Sequence, residues 1–273
     1  MDHKEVHFWD WHYRKGMDWY VRQFAHKKNL DTTTKYFIGE ITPDYIVLPP
    51  STISEIRRCF PNLKIIFIAR DLADRAWSAM IMELRDQTLG LNPGEFAEGV
   101  IQGEKKDAKR AKTTASVAQK RRMQQLSSPS SQPDSYFLER LQSATHDSRS
   151  DYAKSLRNWY EHFPEKSILL IDYRDIETDP RGVLFNILTH VGVEEGEAKR
   201  FVDGLEEAEV RQRVNAAAGS SGKDSMKDSS NSISNRQLLK QRMQKLLSPY
   251  AVKFNALLKE KGYNWSLKDY LEK

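Results

Sequence analysis

Arg70 and Ser78 are eight positions apart in the segment KIIFIARDLADRAWSAM. Arg70 ends an apolar, β-branched run, and Ser78 lies in a helix predicted over about 73–86. An arginine fork, a hydroxyl and a helix N-terminus together suit a phosphate monoester, because each favours the dianion. The same pattern also fits an Arg70 paired with Asp71 or Asp74 and a solvent-facing Ser78. Both interpretations stay open at this stage.

The elements that would position these residues alternate between strands and helices. The continuous apolar runs at 64–69 and 166–173 predict strands buried in a parallel sheet. The aromatic runs HKEVHFW and KYFIGE predict two further short strands. Helices are predicted over 14–27, 51–60, 73–86, 151–162, 180–191 and 236–261, the last as one or two helices. This order predicts an α/β fold with helices on both faces of the sheet and ligands at the carboxyl ends of the strands.

Composition limits the classes of protein that this chain can represent. The 273 residues carry a net charge of +5, and one cysteine, Cys59, excludes an internal disulfide or a cysteine-cluster metal site. No apolar run is long enough to span a membrane, and the N-terminus does not resemble a signal peptide. We therefore expect no metal and no membrane span in this sequence.

The positive charge is concentrated in one segment. Residues 101–150 hold ten Lys or Arg and five acidic residues, with few apolar ones, which predicts a disordered or loosely helical basic insertion. A Ser-rich loop is predicted at about 216–235. The basic insertion would either attract a polyanion or be a solvated loop without a partner. Because no nucleic-acid-binding module is recognisable, no nucleic-acid partner is predicted.

Four segments, in order, resemble one known family. The pattern R-D-x-x-x-R-A-x-S after a strand resembles the 3′-phosphate signature of the sulfotransferases that use PAPS (3′-phosphoadenosine 5′-phosphosulfate), with Leu72 replacing the usual proline. GEITPDY resembles their G-E-K-[ST]-P-x-Y segment, with Ile41 replacing lysine, and YRDIETDPRGVLFNILTHVGV resembles their late Y-E-D-L segment. KEVHFWDWHYRKGMDWY resembles the heparan sulfate glucosaminyl 3-O-sulfotransferases and related N-sulfotransferases.

The resemblance implies a role for several residues. Glu5 matches the general base that acts on the acceptor, and His7 and Asp10 match the polar positions that accompany it. Because side chains alternate along a strand, Glu5 and His7 are expected to share one face of the predicted strand. Arg70 and Ser78 match the ligands of the 3′-phosphate. A further cofactor-binding candidate, Lys223, matches a cation that closes a late loop over the nucleotide. Without the resemblance, Glu5 would be an exposed strand residue paired with its neighbouring lysine, and His7 a packed histidine in an aromatic patch.

One element of the family pattern has no counterpart in the sequence. The family places a loop of the form G-x-x-K-[SC]-G-T, which holds the 5′-phosphosulfate, before the strand that carries the base. Here only MDH precedes that strand. The expected fold is therefore a single domain over 1–273, a three-layer P-loop-NTPase-like sulfotransferase fold without its first strand and loop. An N-terminally truncated sequence, a catalytically inactive relative, or an enzyme with another source of positive charge would each explain this.

The resemblance implies a function and a compartment. The expected activity is transfer of a sulfuryl group from PAPS to a hydroxyl or amine of a carbohydrate, without a metal. A non-catalytic protein that binds a nucleotide or an anionic glycan is the alternative. The family location is the Golgi lumen, although the sequence carries no signal or anchor. The identity of the acceptor is not readable from the sequence, and Ile41 weakens a transfer of heparan-type specificity to this chain.

Overall fold

The computed structural model describes residues 5–24, 37–88, 132–206 and 230–268, which fall into two compact units. The first unit comprises Met1–Arg70, Asp151–Ala217 and Lys253–Leu267. The second comprises Asp71–Ser150, Ala218–Val252 and Lys268–Lys273. Lys223 and most of the predicted Ser-rich loop lie outside the described residues. The expectation of a single domain stays a prediction.

The first unit holds the sheet and most of the helices. Its α-helices, in chain order, are α1 Met17–Arg22, α2 Pro50–Cys59, α6 Tyr152–His162, α7 Tyr173–Thr178, α8 Pro180–Val191 and α9 Glu195–Asp203. Its strands are β1 Ile65–Ala69 and β2 Ile168–Asp172. Short 3-10 helices cover Tyr13–Lys15, Pro43–Val47 and Glu165–Ser167. The end of a long helix, α10 Ser230–Glu260, also belongs to this unit.

The two strands form a parallel sheet, as the apolar runs predicted. Ile65 of β1 pairs with Ile168 of β2, and the register continues to Ala69 and Asp172. The carboxyl ends of both strands therefore lie side by side, which is the edge where parallel α/β sheets bind ligands. The described residues contain these two strands only, so the three-layer sheet stays a prediction.

Local sequence signals account for the helices that follow the strands. The Asp172 carboxylate accepts a hydrogen bond from the Arg174 N–H at 2.9 Å and so caps α7. Helix α8 begins with Pro180 in its first turn and ends at Gly192, whose φ of 100° suits a residue without a side chain. The predicted bounds of α8 are confirmed. Helix α2, predicted over 51–60, begins one residue earlier at Pro50 and ends at Cys59.

The apolar core of the first unit packs the sheet against α6 and the end of α10. The Phe67 ring lies 5.0 Å from the Tyr152 ring, which lies 5.4 Å from the Phe254 ring. Phe254 and Leu156 are fully buried. Burying such side chains is the main favourable term in folding, at about 1.5–3 kcal/mol each. This core fixes β1 and β2, and with them the residues at their carboxyl ends.

Two predicted strands are wrong where the structure describes them. The segment HKEVHFW is irregular from residue 5 and then turns, and residues 37–40 of KYFIGE form no strand. The Trp11 and His12 N–H groups both donate to the His7 carbonyl, at 3.1 and 2.8 Å. The chain therefore reverses at a point where an extended strand would continue. Alternating aromatic residues predicted a strand, but here they pack around the turn.

The second unit contains helices, including part of the predicted basic insertion. Its helices are α3 Leu72–Thr88, α4 Asp134–Leu141, α5 Ala144–Ser150 and the first part of α10. Phe137 and Leu141 are buried, and the Phe137 ring lies 4.9 Å from the Trp77 ring. Residues 134–150 thus form packed helices, which agrees with the helical alternative for this part of the insertion and not with the disordered one. Two apolar residues four positions apart form a helical face that the segment's average composition concealed.

A partly buried ion pair also stabilises the second unit. The Arg140 guanidinium donates to Glu83, and His146 Nε2 lies 3.1 Å from Glu83 Oε1. Burial would raise the pKa of Glu83, but the hydrogen bonds with His146 and Arg140 outweigh this and lower it to about 2.

Among the described residues, no helix has both the length and the apolar character that crossing a membrane requires.

Candidate functional site

The three predicted catalytic residues lie on one turn near the start of the described chain. Glu5 and His7 stand in irregular backbone, and Asp10 lies in the turn that follows. His7 has a φ of 51°, the left-handed region that a residue with a side chain adopts at a cost of about 1 kcal/mol or more. Strain of this kind persists only where surrounding contacts fix it. The turn is therefore built to hold the His7 side chain in one orientation.

The His7 ring joins the two carboxylates. Its Nδ1 lies 2.8 Å from Asp10 Oδ2, and its Nε2 lies 3.0 Å from Glu5 Oε2. The structure thus brings all three residues together, as expected, although through a turn and not through the shared face of a strand. Burial would lower the pKa of His7, but the hydrogen bonds to Asp10 and Glu5 outweigh it and raise the pKa to about 9.

The three side chains differ in exposure and charge, and therefore in whether they can accept a proton from a ligand. The Glu5 side chain is 38% exposed, against 15% for Asp10 and 11% for His7. With a pKa of about 9, His7 is an imidazolium at neutral pH, so it donates to both carboxylates and has no free lone pair. Glu5 Oε1 has no hydrogen-bond partner within the described residues. Among the three groups, Glu5 therefore offers the accessible oxygen that could accept a proton.

A second hydrogen-bond network supports the backbone of the turn. The Tyr45 hydroxyl accepts hydrogen bonds from the Phe8 and Trp9 N–H groups, at 2.7 and 3.3 Å. The same hydroxyl donates to Glu40 at 3.3 Å. Glu40 also accepts from the Tyr20 hydroxyl at 2.5 Å. Burial, followed by the nearby Glu40 carboxylate, raises the pKa of Tyr45 well above its ordinary value, so the hydroxyl stays neutral.

An exposed tryptophan covers one face of His7. The Trp11 indole stacks on the imidazole with ring centroids 3.7 Å apart and an angle of 2° between the planes. The Trp11 N–H donates to Asp10 Oδ1 at 2.8 Å, which fixes the backbone at this position. A cation over an aromatic face is attracted by the ring quadrupole, so the indole stabilises the protonated imidazole.

Arg70 lies at the carboxyl end of β1, as predicted. Because Ala69 pairs with Asp172, Arg70 and Tyr173 follow the last paired residues of the two strands. The Arg70 guanidinium lies over the Tyr173 ring, 5.1 Å from its centroid. Within the described residues of the first unit, no carboxylate pairs with Arg70. A positioned guanidinium without a carboxylate partner fits an anionic ligand such as a phosphate group.

The other two cofactor candidates lie in the second unit or outside the described residues. Ser78 is half-buried on α3 and belongs to the second unit, whereas Arg70 ends the first. In that second unit, the Asp71 carboxylate accepts from the Asp74 N–H at 2.9 Å, and Asp74 pairs with Lys240. Both acids of the alternative interpretation of Arg70 thus have other contacts. Lys223 lies outside the described residues.

Three potential metal ligands lie close together at the turn that holds His7. One ligand atom from each of His7, Asp10 and Asp44 lies within 4.8 Å of the other two. Both nitrogens of the His7 ring are hydrogen-bonded to the carboxylates of Asp10 and Glu5. We assign no metal to this group.

Comparisons with known proteins define the family. Residues 1–261 match the family model described as the sulfotransferase domain, so this chain belongs to the sulfotransferase domain family. Over 75 residues it is 32% identical to the "Membrane-associated sulfotransferase kil1" of Dictyostelium discoideum. That match covers 28% of this chain and 15% of the relative, so the chain matches a small part of that protein. The predicted sulfotransferase family is confirmed at this level, and membership supports a transferase.

Sequence reasoning missed the residues that hold the turn. Glu40 and Tyr45 both lie in the GEITPDY segment, which was noticed only for its resemblance and for Ile41. A tyrosine and a glutamate in one short motif indicate a polar network, but not which backbone groups it binds. The stacking of Trp11 on His7 was not predictable, because the segment 7–13 contains six aromatic or histidine residues and nothing in it indicates which of them pair.

Proposed function

We propose that this protein transfers a sulfuryl group from PAPS to a hydroxyl of a carbohydrate acceptor, with Glu5 as the general base. The observation that carries the proposal is the Glu5–His7–Asp10 cluster, in which an accessible carboxylate is held by a buried, protonated imidazole. Family membership supports sulfuryl transfer in general, and sulfotransferases of this family generally use PAPS. The resemblance to the heparan sulfate branch, with its Golgi location, supplies the residue roles.

The geometry supports a different role for each of Glu5, His7 and Asp10. As the acceptor oxygen forms a bond to sulfur, its proton passes to Glu5 Oε1. The bond between sulfur and the 5′-phosphate oxygen breaks, and its electron pair leaves with PAP (3′-phosphoadenosine 5′-phosphate). His7 donates from Nε2 to Glu5 Oε2 and from Nδ1 to Asp10, so Asp10 fixes the ring and the ring fixes the base. General-base catalysis by a positioned group contributes about 10²–10⁴-fold.

The donor end of the reaction is assigned to the carboxyl ends of the strands. Arg70 would bind the 3′-phosphate, because its guanidinium is held over Tyr173 and pairs with no carboxylate of the first unit among the described residues. Ser78 is proposed as a second ligand and Lys223 as a cation over the nucleotide. The chemistry that PAPS brings is an activated sulfuryl group on a phosphate leaving group.

Calorimetric titration with PAP tests the donor assignment. The wild-type protein is expected to bind PAP, and Arg70→Ala to weaken binding at least tenfold, because a charge-assisted bidentate contact is lost. Arg157→Ala is the matched control: it also removes an arginine of the first unit, but one in an exposed ion pair with Glu260. Equal PAP binding by Arg70→Ala and Arg157→Ala, or no binding by a protein shown to be folded, would refute the assignment.

A further inference from the structure

Trp11 presents an indole ring to solvent directly beside the proposed base. Its side chain is 42% exposed, although one face is covered by the His7 ring at 3.7 Å. The exposed surface of Trp11 therefore lies outside the indole face that His7 covers. Single exposed aromatic residues are common on protein surfaces. This one differs because its stacking partner is the histidine that holds the Glu5 carboxylate, at 3.0 Å from Nε2.

The indole is also held rigidly, which lowers the entropic cost of binding against it. The indole is parallel to the His7 ring within 2°, and the Trp11 backbone N–H donates to Asp10, which fixes the backbone from which the side chain extends. A ring that is already ordered loses little freedom when a ligand packs on it. Large aromatic faces supply contact area to ligands that present a flat apolar face of their own. Sugar rings present such faces, formed by their C–H groups.

The charges at this surface select among sugar ligands. Glu5 and Asp10 place two carboxylates around the single charge of His7. A sulfated or uronate-bearing glycan would bring further negative charge to this surface, and like charges brought together oppose binding. An uncharged ring meets no such penalty.

We propose that Trp11 is the acceptor platform of this site and that it binds an uncharged sugar ring, so that the acceptor is a neutral glycan and not a polyanionic one. This inference rests on the proposed function, because it assigns the acceptor of the same reaction. The ring packs on the free face of the indole, and its hydroxyl faces Glu5.

Saturation-transfer NMR with defined saccharides, in the presence of PAP, tests this proposal. The probes are three neutral disaccharides (chitobiose, cellobiose and lactose) and a heparin tetrasaccharide. Wild-type protein is expected to bind at least one neutral disaccharide. Trp11→Ala should weaken that binding about tenfold or more, and Trp11→Phe should restore most of it, because the aromatic face returns. Circular dichroism confirms that each variant is folded.

A further arm gives the test its specificity. Heparin tetrasaccharide binding, where present, should not change in Trp11→Ala, because such binding would come from basic residues elsewhere. Neutral binding that is equal in wild type and Trp11→Ala, no binding of any neutral probe, or heparin binding that depends on Trp11 in the wild-type background would overturn the proposal.

The failure of this proposal is distinguishable from failure of the proposed function. PAP binding is measured on the same samples, and its loss in Arg70→Ala reports on the donor site alone. A protein that binds PAP through Arg70 but ignores the Trp11 substitution retains the proposed function and loses the platform. A protein that binds disaccharides through Trp11 but never binds PAP retains the platform and loses the proposed function.

Discussion

The protonation of His7 gives a quantitative prediction about the first unit. Its pKa is raised from 6.5 to about 9, and a tenfold change in proton affinity corresponds to ~1.4 kcal/mol. The protonated ring therefore contributes about 3 kcal/mol to folding. Because the folded pKa is the higher one, this contribution is complete below pH 6.5 and is lost as the pH rises through about 9.

Substitution of Asp10 isolates this contribution. Asp10→Asn removes the carboxylate that does most to raise the pKa of His7, so the pKa should fall towards 6.5. Urea unfolding followed by tryptophan fluorescence, from pH 6 to pH 10, should show a steeper loss of stability in wild type than in Asp10→Asn. Fluorescence suits the first unit because it holds five of the six tryptophans.

A second histidine serves as the matched control. Burial, followed by the charge of Lys64, lowers the pKa of His190, so its contribution changes only below pH 6.5. His190→Gln should therefore leave the stability profile between pH 6.5 and pH 9 unchanged. NMR titration of the His7 ring gives the pKa directly. A His7 pKa near 6.5 in wild type, or identical pH profiles for wild type and Asp10→Asn, would refute the arrangement described for this cluster.

Three other substitutions have expected outcomes in urea or acid unfolding. Tyr45→Phe removes the hydroxyl that accepts hydrogen bonds from two backbone N–H groups of the turn after His7. It should lower the free energy of unfolding by about 1–3 kcal/mol. An unchanged free energy in urea unfolding would contradict the supporting network. Because hydrogen bonds with His146 and Arg140 lower the pKa of Glu83 to about 2, its contribution is present above pH 4.5 and lost as the pH falls. Glu83→Gln should therefore flatten acid unfolding of the second unit. Arg157→Ala breaks an exposed ion pair and should change stability by less than about 1 kcal/mol.

The sequence predicted those elements whose signals are local. Continuous apolar runs identified β1 and β2, and Pro180 marked the start of α8. The first predicted strand failed because the Tyr45 hydroxyl, 36 and 37 positions away, binds the backbone N–H groups that a strand would use. Such a contact leaves no trace in the spacing of nearby residues. The average composition of residues 101–150 left disorder and helix open for 134–150. Basic and polar residues dominate that average, and they concealed the apolar helical face that Phe137 and Leu141 form.

The candidate site was predictable in its members but not in its geometry. Family resemblance named Glu5, His7 and Asp10, and the structure brings them together through the two nitrogens of one ring. The expected reason, alternation of side chains along a strand, was wrong. The three side chains meet because His7 adopts a left-handed backbone conformation in a turn. The environment of Arg70 followed from strand register once β1 and β2 were paired. The stacking of Trp11 depends on a turn that no local pattern indicated.

Transfer of sulfur-radiolabelled sulfuryl groups from PAPS to neutral oligosaccharides tests the central claim most directly. The wild-type protein is expected to label the acceptor, and Glu5→Gln to lower the rate about 10²–10⁴-fold while PAP binding is retained. Glu165→Gln, which alters a largely exposed carboxylate of the same unit, should leave the rate unchanged. Labelling by Glu5→Gln at the wild-type rate, or no labelling by folded protein that binds PAP, would contradict the account.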